Sequence, residues 1–329
     1  VELFQIHNQK IVSYTTELKS LPKTGYMWLL LERSEPFDLN AWLKNLGVEL
    51  NPRHLEDIAQ INHPSSYEGA GNEYEMVIFR SLSERKDSGH RRLFDSTTFV
   101  IFKNLLVTVY DHQHKEVSNF LSILASEKGG ALSSPNILVE FCLDRFVSQV
   151  FDIKQMLDGK LTMWQKKLLQ TRGRSQQDWM GLLDFKTDVR RIKMLCEEQL
   201  DTINAWHASL RVAVKEKPKP YVEQLMINLN DLAEHANRMV KLATQSQQEL
   251  DSLLQLHFTI LSHRTNEIMR IVALVTGIFL PANLITGIFG MNFTNIPDLR
   301  SPHGFISAIG TMLLISVVLL SFFRWRKWL

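Results

Sequence analysis

Between Arg270 and Asn292 the chain reads IVALVTGIFLPANLITGIFGM, 21 residues without a charge. As a helix, a run of that length covers about 30 Å, the thickness of a bilayer's hydrocarbon core. A polar stretch, NFTNIPDLRSPH, separates it from GFISAIGTMLLISVVLLSFF, Gly304 to Phe323, which adds 20 more uncharged residues. Two such runs in succession predict two membrane-spanning helices, with the lipid bilayer as their surroundings. Arg324, Trp325, Arg326, Lys327, Trp328 and Leu329 follow, a basic and aromatic anchor that the positive-inside tendency assigns to the cytoplasmic side. Two crossings return a chain to the side it started from, so the first 265 residues or so are expected to be cytoplasmic too.

The first run is not a plain anchor. It contains Gly277, Pro281, Asn283, Thr286, Gly287 and Gly290, and an amide at lipid depth is costly unless it faces protein or a water-filled cavity. The polar residues at 276, 283 and 286 therefore predict one face turned away from lipid. The second run has only the hydroxyls of Ser307, Thr311, Ser316 and Ser321 among apolar residues. It reads as the lipid-facing partner.

Net charge is +2, from 37 basic and 35 acidic residues. From Thr265 onward there are five basic residues against two acidic, which leaves 32 basic against 33 acidic before it. A portion so nearly neutral has no broad basic field for coating a polynucleotide, and nucleic acid is excluded as a partner. The two cysteines, Cys142 and Cys196, stand 54 residues apart without a CxxC or a Cys/His cluster. Two reduced core thiols are expected, not a disulfide scaffold or a zinc site. Val1 to Lys10 holds no apolar run of signal-peptide length, so no export signal is expected there.

From Tyr221 the sequence is rich in helix formers and has no proline before Pro281, which predicts one helix of about 60 residues, roughly 90 Å long. Leu225, Leu229, Leu232, Ala236, Met239, Ala243, Ser246, Leu250, Leu253, His257 and Ile260 recur at alternating steps of four and three. That heptad stripe calls for packing against other helices, either on the chain's own domain or in an oligomeric bundle nearer the membrane. The charged breaker KEKPKP, Lys215 to Pro220, precedes it, and two earlier helices are predicted over about 134–170 and 177–214.

The first 130 residues read differently. Runs such as YMWLLLE, EMVIFRSL, TFVIFKN and LLVTVYD are separated by clusters of Gly, Asn, Asp and Pro and predict strands. The last two form an expected strand pair with Lys103 and Asn104 at its turn, while AWLKNLG and NPRHLEDIAQ read as helical. The domain is α/β, with a strand order the pattern leaves open. No phosphate loop, GxGxxG, HExxH or GxSxG is present, so no enzyme activity is expected. Asp111, His112 and His114 form only a fragment of a metal-ligand pattern, more simply a solvated loop.

At the end of the first span, Gly290, Met291 and Asn292 are followed by Phe293 and by Ile296, Pro297, Asp298 and Leu299. This GMNF…IPDL sequence, with the terminal RKWL, resembles the CorA family of divalent-cation channels. The resemblance covers the organisation of the whole chain and is most specific from Asn266 onward. It implies an α+β membrane protein: a homopentameric funnel with a cytoplasmic α/β domain, a long stalk helix continuous with the pore-lining span, and an outer ring from the second span. The corresponding segments are 1–220 for the cytoplasmic domain with its helical C-terminal part, 221–266 for the stalk and 267–292 for the pore helix. Residues 293–303 form the outer loop, 304–323 the second span and 324–329 the basic tail.

By the same resemblance, Gly290, Met291 and Asn292 form the selectivity filter, with Asn292 as the metal-facing group. Asn266, Met269, Val272, Leu280, Asn283 and Gly287 line the pore. Mg²⁺ surrenders its octahedron of waters reluctantly, so neutral carbonyl oxygens suit a site that accepts the hydrated ion. Apolar rings at Met269, Val272 and Leu280 suit gating by dewetting. Asn283 stands where a hydroxyl residue is expected, and offers a larger amide near the narrow ring. In the stalk, Asp231 and His235, with Glu234 beside them, resemble the segment that shares a regulatory Mg²⁺ between subunits; Glu84 and Asp87 are candidate partners for Asp231. The implied function is uptake of Mg²⁺, and of Co²⁺ and Ni²⁺, across the inner membrane, driven by the membrane potential and regulated by internal Mg²⁺, with both termini cytoplasmic. Two other readings stay open: a ZntB-like, proton-coupled Zn²⁺ transporter, to which LPANLITGIFG is also similar, and a membrane-anchored metal sensor that conducts nothing.

Overall fold

The computed structural model describes residues 2–8, 10–15, 21–70, 73–82, 94–111, 132–170, 176–216, 220–291 and 303–326. The chain divides into two compact units, Val1–Leu250 and Asp251–Leu329. The first is built on seven strands: β1 (Glu2–His7), β2 (Lys10–Thr15), β3 (Tyr26–Glu32), β4 (Ser66–Ala70), β5 (Tyr74–Leu82), β6 (Phe94–Ile101) and β7 (Leu105–Tyr110). They form one sheet in the order β2-β1-β3-β7-β6-β5-β4. Every neighbouring pair is antiparallel except β3 with β7, where Met27 lies opposite Leu105 and Glu32 opposite Tyr110. The expected turn at Lys103 and Asn104 joins β6 to β7, with Phe102 N–H donating to the Leu105 carbonyl at 2.8 Å.

Helices cover both faces of this sheet, which explains why its strands read as unbroken apolar runs instead of alternating ones. On one face lie α1 (Leu39–Asn45) and α2 (Pro52–Ala59), capped by Asp38 and Asn51 through hydrogen bonds from the Ala41 and Arg53 N–H groups. Their Leu39, Leu43 and Ile58 join Met27, Leu29, Leu31, Met76, Ile78, Val100 and Val107 in one buried cluster. On the other face lie α3 (Pro135–Gln170) and α4 (Gln176–Glu216). Phe146 of α3 sits 6.1 Å from the Phe79 ring and 6.5 Å from the Phe99 ring, and Trp206 of α4 stacks on Tyr67 at 6.4 Å.

Polar pins fix α3 and α4 to the sheet. Glu75 of β5 accepts from Asn136 Nδ2 at 3.1 Å and from Trp206 Nε1 at 3.2 Å. Burial pushes the Glu75 carboxyl upward, and these donors oppose the shift. Arg80 pairs with Glu198 at 3.2 Å while its carbonyl accepts from Gln199 Nε2 at 2.7 Å. Gly25 shows why that residue is needed beside β1: φ is +76°, and a Cβ there would fall 2.2 Å from the Ile6 carbonyl oxygen.

After the segment containing KEKPKP, of which 217–219 lie outside the described residues, α5 runs from Pro220 to Phe289 over 70 residues. Its heptad residues from Leu225 to Leu250 are buried. Within the first unit α5 lies against the chain's own α3, as contacts to Glu140 and Asp144 from Asn228 and His235, each next to a stripe residue, show. The second unit contains the remainder of α5 and α6 (Gly304–Trp325); both helices are long and apolar enough to cross a membrane.

Phe79 is fully buried at the junction of sheet and α3. Phe79→Ala is expected to cost about 3 to 5 kcal/mol by emptying that contact. A lowered unfolding midpoint of the full chain in detergent is the readout.

Candidate functional site

The membrane part of α5 has two sides. Leu274 is buried, and Gly277, Ile278, Pro281, Ala282 and Ile285 are half-buried. This side meets α6, since Phe323 lies against Gly277. At about 100° per residue, the residues at 266, 269, 272, 280, 283 and 287 centre roughly 180° away. All six are exposed, with Met269 at 64 %, Val272 at 52 % and Leu280 at 62 %. The helical repeat thus brings Asn266, Met269, Val272, Leu280, Asn283 and Gly287 onto one uncovered face.

That face offers oxygen without fixed charge. From Ile271 to Met291 no side chain ionises, so its polar groups are the Asn266 and Asn283 amides, the exposed Thr276 hydroxyl and the carbonyls of the helix end. Thr286 Oγ1 donates to the Asn283 carbonyl at 2.9 Å, which folds that hydroxyl back onto the helix. The helix closes with Gly290 N–H donating to the Thr286 carbonyl at 2.9 Å and Met291 N–H to the Ile288 carbonyl at 3.2 Å. A Cβ at Gly290 would press to 3.0 Å from the Thr286 oxygen, so glycine lets the last turn close without crowding its own carbonyl. Carbonyl-rich C-terminal ends are the partially negative poles of helices and suit cations. Gly290 and Met291 are both exposed there, whereas Asn292 and the IPDL segment lie outside the described residues.

Lower on α5, Asp231, Glu234 and His235 are exposed. His235 Nδ1 stands 3.7 Å from Asp144 Oδ1 of α3. One turn before Asp144, Glu140 accepts from Asn228 Nδ2 at 3.1 Å. Burial raises the Glu140 pKa; the Asn228 hydrogen bond opposes that rise, and the charges of Asp144 and Asp231 add to it. Glu140 and Asp144 were not singled out from the sequence, although their four-residue spacing on one helical face was a usable signal. Among the described residues no group of three or more His, Cys, Asp or Glu side chains is arranged to hold a metal ion. Glu84, Asp87, His112 and His114 lie outside the described residues, and Asp111 is within them.

A carboxyl whose pKa is higher in the folded than in the unfolded chain binds more protons when folded, so its contribution to stability falls as pH rises through that window. Glu140→Gln keeps an acceptor for Asn228 and removes the buried charge. The variant should melt above the parent protein at pH 7 to 8, with the gap closing as pH falls toward the ordinary carboxyl range; melting curves across pH check it.

The sequence profile of the family described as CorA-like Mg²⁺ transporter protein matches residues 23–326. The cobalt/magnesium transport protein CorA of Thermotoga maritima is 20 % identical over 292 residues, 85 % of this chain and 77 % of its own length. Among solved structures, the complete CorA magnesium transporter of Methanocaldococcus jannaschii superposes with a TM-score of 0.75 at 19 % identity, covering 100 % of this chain and 99 % of its own. The ZntB cytoplasmic domain of Vibrio parahaemolyticus superposes with a TM-score of 0.63 at 14 % identity, over 81 % of this chain and 98 % of its own.

Proposed function

The chain belongs to the family of CorA-like Mg²⁺ transporter proteins, and on that premise we propose that it is a divalent-cation channel carrying Mg²⁺, and also Co²⁺ and Ni²⁺, inward across the inner membrane. The carrying observation is the uncharged, uncovered face of α5, on which Asn266, Met269, Val272, Leu280, Asn283 and Gly287 align opposite the side that meets α6. Such a face is complete only when copies of the chain surround a common axis, and a homopentamer is the assembly we assign to it. Gly290, Met291 and Asn292 ring its outer end and accept the hydrated ion through neutral oxygens. Binding by amide and carbonyl oxygens is weak enough for the ion to leave, as conduction requires, where a ring of carboxylates would trap it. Asn283 adds a second hydration site, and Met269, Val272 and Leu280 close the path by excluding water.

No chemical fuel is needed. A divalent cation moving down a negative-inside potential gains about 4.6 kcal/mol per 100 mV. Regulation in this reading comes from internal Mg²⁺ bound near Asp231 and shared with a neighbouring subunit. A ligand of that kind biases the equilibrium between a closed and an open assembly. The exposure of Asp231 and Glu234 leaves both available to such a neighbour.

The test is cation entry into liposomes containing the purified protein. With a negative-inside potential, Mg²⁺ should enter whether or not an inward proton gradient is present, and Asn292→Ala should reduce entry about tenfold or more. Zn²⁺ entry that requires the proton gradient would instead assign the chain to the ZntB-like reading. An absence of flux for either ion would leave a metal sensor.

A further inference from the structure

Pro281 is the proline inside α5. Having no N–H, it cannot bond the carbonyl four residues earlier, which belongs to Gly277. Gly277 is also where the helix surface is notched toward its neighbour: a Cβ built there would lie 3.3 Å from Phe323 Cζ and 3.6 Å from Phe323 Cε2. The break in the hydrogen-bond ladder and the notch therefore fall within one helical turn, and an aromatic ring from α6 fills the notch. That ring is itself braced. Phe322 meets Phe323 edge-on with centroids 5.9 Å apart, and Trp325 lies 6.3 Å from Phe322.

A helix that lacks one backbone hydrogen bond bends there more easily than elsewhere, and what packs against the break sets its angle. Val272 and Leu280 bracket Gly277 in sequence, both exposed, about 140° and 60° round the helix axis from it. A small change of angle at Gly277 therefore moves the two apolar residues relative to each other. We propose that Phe323 is a positioning residue for ion passage: its ring, seated in the Gly277 notch beside Pro281, fixes the angle of α5 and through it the width of the constrictions at Val272 and Leu280. The inference rests on the reading of the exposed α5 face as the ion path.

Two variants of the full chain act on the notch in opposite directions. Gly277→Leu drives a side chain into the space of the Phe323 ring and pushes α5 away from α6, narrowing the path. Phe323→Ala empties the notch and lets α5 settle back. The paired variant, Gly277→Leu with Phe323→Ala, fills the notch from the other side.

In liposomes under a negative-inside potential, Gly277→Leu should lower maximal Mg²⁺ entry about tenfold, Phe323→Ala should raise it about threefold, and the pair should return it toward the parent value. The Mg²⁺ concentration for half-maximal entry should stay unchanged throughout, because the outer motif is untouched; entry is expressed per folded protein in the liposomes, so relief of overpacking at the notch does not count as rescue. Equal maximal entry in the parent and Phe323→Ala proteins would overturn the inference, and this readout stands even where Gly277→Leu fails to fold. A pair no better than Gly277→Leu alone would also overturn it. Loss of flux in the parent protein would sink the channel reading itself, and is told apart because it precedes any substitution.

Discussion

A peptide group stripped of water in hydrocarbon costs several kcal/mol unless another group of the chain meets it. The membrane half of this protein is arranged around that cost. A segment that crosses lipid must satisfy its backbone within its own helix and leave everything else to its side-chain faces. Helix α5 does so over 70 residues, with a single internal proline. Its residues carry a buried heptad stripe between Leu225 and Leu250, and, after Asn266, a face that is exposed and free of charge from Ile271 onward. The two patterns share a periodicity and differ in what they are meant to touch.

The sheet domain obeys a related economy. Covering both faces with helices turns β3 into the run Tyr26 to Leu31, every residue of which is buried. Polar groups inside such a sandwich must then find partners across layers. Trp28 Nε1 donates to Thr108 Oγ1 at 3.0 Å, and Glu75 binds α3 and α4 together. Where α3 meets α5 the economy is less strict: Glu140, Asp144, Asp231 and His235 bring several charges to one seam, and the Glu140 carboxyl is held above its ordinary range chiefly by burial. Packing there therefore depends on pH, through Glu140, in a way that the Phe79 junction does not.

Legibility in the sequence follows the length of each pattern. The two spans and the eleven-member stripe could be read because lipid and helix packing each impose a constraint repeated over many residues. The strands β3, β5, β6 and β7 could be read because double-sided burial makes them unusually apolar. Strands β1, β2 and β4 escaped: ELFQIH, KIVSYT and SYEGA are short and mix polar with apolar residues. Strand order was beyond reach because it depends on contacts such as Met27 with Leu105, far apart in the chain. For the candidate site, the residues alone marked one face turned from lipid, by the polar positions 276, 283 and 286. The set from Asn266 to Gly287 and the role of its members came from resemblance to a family, and the Gly277 notch was invisible because nothing in the sequence ties residue 277 to residue 323.

Cys142 and Cys196 are both buried and unpaired. Burial drives the Cys142 thiol far up and the Cys196 thiol up to about 12, so neither presents a thiolate near neutral pH. Water-soluble thiol reagents will thus find little to attack in the native chain. Single cysteines can be walked along α5, from Asn266 to Met291, and labelled in the otherwise natural sequence, with no need to remove the two thiols that help fill the core between the sheet and its helices.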